Sequence, residues 1–224
     1  YENIQRFIQF QLTINVSALT IAFLGPFLGV HPPFTVLQLL WINVIMDTFA
    51  AIALCSEPPR SGLMRARPKR RDESIITPGM LKNILVTAVF FIIVMITLLL
   101  GMKHGEWFKG TGTMSETFEG LSIRQVSIFF SVYVFFQVWN LINCRSLTPE
   151  TSGLKNLFTN FTFLMITSII VIVQVLIVSI PFLASIFRIE PLSAMDWLII
   201  AASTSTVLVF VEISRRIRKA MKTG

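Results

Sequence analysis

An all-α, polytopic membrane bundle of six transmembrane helices is the fold class this sequence predicts, on three observations. Of its 224 residues, 54% are hydrophobic and only 14% are charged, with a mean hydropathy of +0.72, which is too apolar for a soluble domain of this length. Six apolar stretches reach or approach the ~20 helical residues needed to cross a hydrocarbon core of about 30 Å. The nineteen basic residues divide unevenly between alternate connections, fifteen on one side and four on the other, and such an asymmetry orients membrane helices.

The spans fall at about residues 7–27, 35–55, 80–100, 123–143, 161–183 and 195–213, which makes 1–224 one transmembrane domain. The first span is the least apolar. Its Gln9, Gln11, Thr13, Asn15, Ser17 and Thr20 need partners that lipid does not offer, so it is expected to be enclosed by other helices. The second opens behind His31, Pro32 and Pro33 and closes at Pro58 and Pro59, and the third begins with the cap-then-proline pair Thr77-Pro78. Ser122 with Gln125, and Ser193 with Asp196, have capping-box spacing at the starts of the fourth and sixth spans. The fifth, FTFLMITSIIVIVQVLIVSIPFL, is apolar nearly all round and is expected at the lipid-facing edge.

Six spans put both ends on one side. That side collects Arg6, the seven basic residues from Arg60 to Lys82, Arg145, Lys155 and the five from Arg215 to Lys222, against Lys103, Lys109, Arg124 and Arg188 opposite. Both termini are therefore expected in the cytoplasm. The net charge of +7 is a topology signal, and no nucleic-acid partner is expected. The basic run Arg65 to Arg71 is read in the same way. Cys55 and Cys144 have no zinc or redox spacing, and no disulfide is expected. The start at Tyr1-Glu2-Asn3, without an initiator Met or a signal-peptide pattern, reads as part of something longer.

One carboxylate stands out. Asp47 lies in the apolar run LLWINVIMDTFAAIAL, where burial of a charge costs roughly 2.5 to 3.5 kcal/mol on insertion scales. No basic residue is available at the same depth, so Asp47 is expected to handle a cation. Asn43, four residues earlier, shares its helix face. Calcium takes six to eight hard oxygens from carboxylates, amides, carbonyls and water, and Asn15 on the first span and Gln137 on the fourth lie at membrane depth to add two more. For Asn15, Asn43 and Gln137 the competing reading is interhelical hydrogen bonding, the common use of membrane amides.

His31 and His104 lie in outer loops with no companion ligand. Glu212 is expected to reach the interface or the Arg215 and Arg216 heads, and Asn140 and Asn143, near the inner interface, either cap the helix, the preferred reading, or line an entry path. The sequence carries no glycine-rich phosphate loop, no nucleophile with a base and no zinc motif, so no catalytic residue and no bound cofactor are expected on this segment.

The runs FQLTINVSALTIAFLG and PPFTVLQLLWINVIMDTFAAIALCSEPP resemble the fifth and sixth transmembrane helices of calcium-transporting P-type ATPases. The resemblance is strongest to the plasma-membrane calcium-pump branch, with its FQLTxN, LLWxNLIMDTxA and EPP text. The remaining four spans fit the family's last four in order and spacing, including the VWNLINCR ending of the fourth. The resemblance implies a C-terminal six-helix part of a pump that carries calcium as transported substrate. ATP and magnesium would be used by domains absent from this chain, and the absent N-terminal helices and cytoplasmic domains would be its partners beside the lipid bilayer. It implies ion ligands at Asn15, Asn43 and Asp47, with Gln137 near the ion path, and coupling to the phosphorylation domain through Tyr1 to Arg6 and the loop Glu57 to Pro78. Where the intracellular-store pumps carry a Glu and a Thr as further ligands, this chain has Ala18 and Met46, which implies one calcium site. Two alternatives stay open at this point: a P-type ATPase for another cation, or a secondary transporter or channel complete in six helices.

Overall fold

The computed structural model of the chain describes residues 1–29, 34–58, 74–105, 107–108, 117–118, 121–147 and 151–223. Among the described residues, six helical spans are long and apolar enough to cross a membrane. The first is α1, Glu2–Phe27. The second, α2, covers Val36–Cys55 in three consecutive pieces: an α-helical turn Val36–Leu40, a π-helical turn Trp41–Met46 and an α-helix Asp47–Cys55. Next come α3, Pro78–His104, and α4, Ile123–Cys144. The fifth span is α5, Phe161–Ser179, followed by the short α6, Pro181–Phe187. The sixth is α7, Ala194–Thr204, continued by α8, Thr206–Thr223. A two-residue antiparallel pair, β1 (Thr117–Phe118) with β2 (Leu121–Ser122), leads into α4.

Local chemistry sets the helix starts. The Thr77 hydroxyl accepts from the Met80 N–H ahead of Pro78, and both expected capping boxes, Ser122 with Gln125 and Ser193 with Asp196, are formed. A third box was not anticipated: Thr35 and Gln38 start α2, whereas His31, Pro32, Pro33 and Pro59 lie outside the described residues. The expected fifth span is interrupted at Ile180, because Pro181 has no N–H to continue the ladder and instead opens α6.

The packing departs from the sequence expectation in one main respect. The enclosed helix is α4, which touches α1, α2, α3, α5, α7 and α8; 94% of its apolar window is buried, against 39% at most in any other span. Ser127 and Ser131 give neighbours close approach, and Phe129, Phe130, Tyr133 and Phe136 fill the space between helices. On α1 only one face is enclosed. Gln9, Thr13 and Ser17 are buried there, but Asn15 is exposed, because two residues turn a helix by about 200°. The fifth span does expose apolar residues such as Phe161 and Ile172, yet its opposite face packs on α2 and carries a fully buried Gln174.

Candidate cation site

The α2 backbone departs from α-helical geometry at the predicted ligands. A π-turn bonds each N–H to the carbonyl five residues back, and such turns concentrate at functional sites. Asn43 lies inside it and Asp47 follows it directly. Both side chains are half-buried, and each presents a buried oxygen, Asn43 Oδ1 and Asp47 Oδ1, that accepts no hydrogen bond. The other Asp47 oxygen, Oδ2, accepts from Gln11 Nε2 at 3.2 Å. Among the described residues no cation pairs with Asp47, and no three His, Cys, Asp or Glu side chains converge on one point.

The structure thus brings Asn43, Asp47 and Gln11 together. Gln11 was read only as one of several polar residues on the first span, although its four-residue spacing from Asn15 marks the shared face. Asn15, one turn further along α1, is exposed. Gln137 is fully buried with both amide atoms unpartnered, and among the described residues no hydrogen bond joins it to α2. It lies one turn from Tyr133, whose hydroxyl donates to the Ile14 carbonyl at 3.0 Å and sits 2.8 Å from Ser17 Oγ.

Side chains distant in sequence hold the π-turn from outside. The Trp41 indole N–H donates to Gln174 Oε1 on α5 at 3.1 Å. One turn earlier, Gln38 Nε2 donates to the Phe187 carbonyl of α6 at 3.0 Å.

A buried carboxylate closes the other end of this span. Glu57 Oε1 accepts from Arg145 Nε at 2.5 Å and from Asn160 Nδ2 at 3.0 Å, and Oε2 accepts from Arg145 Nη2 at 3.3 Å. Arg145 also donates to the Gly153 and Asn156 carbonyls and lies over the Phe163 ring. Asn3 at the start of α1 donates to the Cys55 and Glu57 carbonyls, and Gln5 to the Ile75 carbonyl. The start of α1 is thereby tied to both sides of the connection between α2 and α3, whose residues 59–73 lie outside the described set. Asn140 and Asn143 do not cap α4. Both are buried, and Arg215 Nη2 donates to the Asn143 carbonyl at 2.6 Å. Glu212 meets Arg215 at 3.7 Å, near the expected pairing, and also accepts from Ser152.

The donor set at α2 fits a hard cation: two buried, unpartnered oxygens, one of them anionic, with no thiolate or imidazole among them. Comparison with known proteins gives the family. The profile of the family described as cation transporting ATPase, C-terminus, matches residues 31–217. The chain is 38% identical over 199 residues, 89% of its length, to the probable calcium-transporting ATPase 6, plasma membrane-type, of Oryza sativa subsp. japonica. It is 34% identical over 198 residues, 88% of its length, to the plasma membrane calcium-transporting ATPase 1 of Oryctolagus cuniculus. The human plasma membrane calcium-transporting ATPase 3 is 36% identical over 199 residues, again 88% of this chain. The chain spans only 18%, 16% and 16% of the length of these three relatives.

Proposed function

The chain belongs to the cation-transporting ATPase family, matching its C-terminal region, and from that premise we propose that it forms the C-terminal membrane part of an ATP-driven calcium pump. The observation that carries the reading is the pair of unpartnered buried oxygens on Asn43 and Asp47, placed mid-span in α2 at a π-turn. Asp47 supplies the formal charge. Asn43 supplies an amide oxygen beside it, Asn15 a further one from α1, and Gln137 acts at the periphery of the site. The face on which Asn15 is exposed accepts helices from the rest of the pump, which complete the six to eight oxygens that calcium requires. ATP and magnesium are used by other domains of the pump, and Tyr1 to Arg6 with the connection from Glu57 to Pro78 relays their state to α1 and α2. The membrane is the plasma membrane, with both termini and the basic connection between α2 and α3 in the cytoplasm.

One ion moves per cycle, since the Ala18 methyl cannot coordinate and the Met46 thioether is too soft a ligand for calcium. The test is calcium-dependent phosphorylation of the intact pump by ATP. Asp47→Asn keeps side-chain size while removing the charge, so it should abolish phosphorylation, and the wild type should bind one calcium per phosphoenzyme. A variant that still pumps, or two ions per phosphoenzyme, refutes this site.

A further inference from the structure

We infer that Gln174 is a positioning residue for cation binding, acting through its hydrogen bond to Trp41 on the π-turn that carries Asn43. The inference rests on the cation-site reading above. An indole nitrogen can only donate, so the atom facing Trp41 Nε1 at 3.1 Å must be the Gln174 amide oxygen. This orientation leaves Gln174 Nε2 buried without a partner. An unpartnered buried amide is costly, and an apolar residue at 174 would pack in lipid or protein without that cost.

Three further facts place the contact in the service of the site. Trp41 and Gln174 are 6% and 0% exposed, so water does not compete for the bond. Trp41 is the first residue of the π-turn and lies two before Asn43, so a rotation of its backbone moves the Asn43 oxygen directly. The turn before it is pinned independently, by Gln38 to the Phe187 carbonyl and by the Thr35 capping box. The two anchors on α5 and α6 therefore both act at the N-terminal end of the stretch where α2 leaves α-helical geometry. A wider π-turn is less stable than the α-helix around it, and these anchors select it. The fifth span thereby acts on the ligands without touching the ion.

The experiment uses the intact pump carrying wild-type segment, Gln174→Met, Trp41→Phe, the double variant, and Asp47→Asn as control. Gln174→Met keeps an unbranched side chain of similar length, and Trp41→Phe keeps a ring while removing the donor. Half-activating calcium concentration and maximal phosphorylation rate are read separately. Each single variant should raise the half-activating concentration about three- to tenfold, the range set by one neutral hydrogen bond, with the maximal rate held. The double variant should be no worse than the weaker single, since both remove one interaction. If one single variant fails to fold, the other decides. An unchanged half-activating concentration, a lowered maximal rate alone, or additive effects overturn the inference. If Asp47→Asn is inactive while the Gln174 and Trp41 variants behave as wild type, only this inference falls. Phosphorylation that ignores calcium in the wild type, or survives in Asp47→Asn, overturns the cation-site reading and this inference with it.

Discussion

Asp47 and Glu57 lie ten residues apart on the same span and its end, Asp47 half-buried and Glu57 buried, and their surroundings are opposite. Glu57 has both oxygens occupied, by an arginine and an asparagine brought from α4 and the start of α5. Asp47 has one neutral donor, Gln11, and among the described residues one oxygen without a partner. A buried ion pair with every lone pair engaged joins helices and has nothing left to offer a ligand. A carboxylate at membrane depth left half-partnered is a poor structural element and a good cation ligand, and its cost is tolerated where function requires it. The same residue class therefore serves as clasp in one place and as ligand in the other, and the hydrogen-bond inventory separates them.

The comparison is broken most directly by exchanging readouts between the two carboxylates. Asp47→Asn should eliminate calcium-dependent phosphorylation while leaving the thermal denaturation midpoint of the pump unchanged or raised, because it neutralises an uncompensated charge. A fall in that midpoint would make Asp47 structural. Glu57→Gln should act in reverse order, destabilising by about 3–5 kcal/mol because it leaves the Arg145 guanidinium buried beside a neutral group. Denaturation of a pump carrying both Glu57→Met and Arg145→Met should show much of that loss recovered, and no recovery would mean that the clasp does not work as a pair.

Gly153 sharpens the clasp side of the comparison. Its carbonyl accepts from Arg145 Nη1 at 2.7 Å, and a Cβ at this position would overlap the Ile142 carbonyl oxygen. Gly153→Ala should therefore destabilise by about 1–3 kcal/mol through overpacking, with the calcium dependence of the remaining folded pump unaltered. A shifted calcium dependence would tie the clasp to the ligands. The smallest effects belong to the neutral groups around Asp47. Gln11→Leu should raise the half-activating calcium concentration about two- to fivefold by removing one hydrogen bond. Asn43→Ala should do more and Gln137→Ala less, an order checked by the same phosphorylation titration.

Much of this was legible in the residues because it is local. Helix lengths follow from apolar runs, and the boxes at Ser122 and Ser193 and the Thr77-Pro78 start need only neighbours within three positions. The box at Thr35 is equally local, with Gln38 three residues on. Asn43 and Asp47 could be paired because a four-residue spacing shares a face in an α-helix. Gln11 could have been added by the same rule applied to Asn15.

What stayed hidden has one physical cause: lipid and protein interior are both apolar, so an apolar residue facing one cannot be told from an apolar residue facing the other. Hence the residues alone do not single out α4 as the central helix, nor say which face of α1 is enclosed. Contacts between residues far apart in sequence were equally invisible. Glu57 meets Arg145 across 88 residues and Trp41 meets Gln174 across 133. The spans, their caps and the carboxylate that lipid would not tolerate without a purpose can be read along one chain segment, since each depends on spacing within it. Which polar groups hold helices together and which oxygens remain for a cation is set by packing, because that depends on the side chains that arrive from other helices.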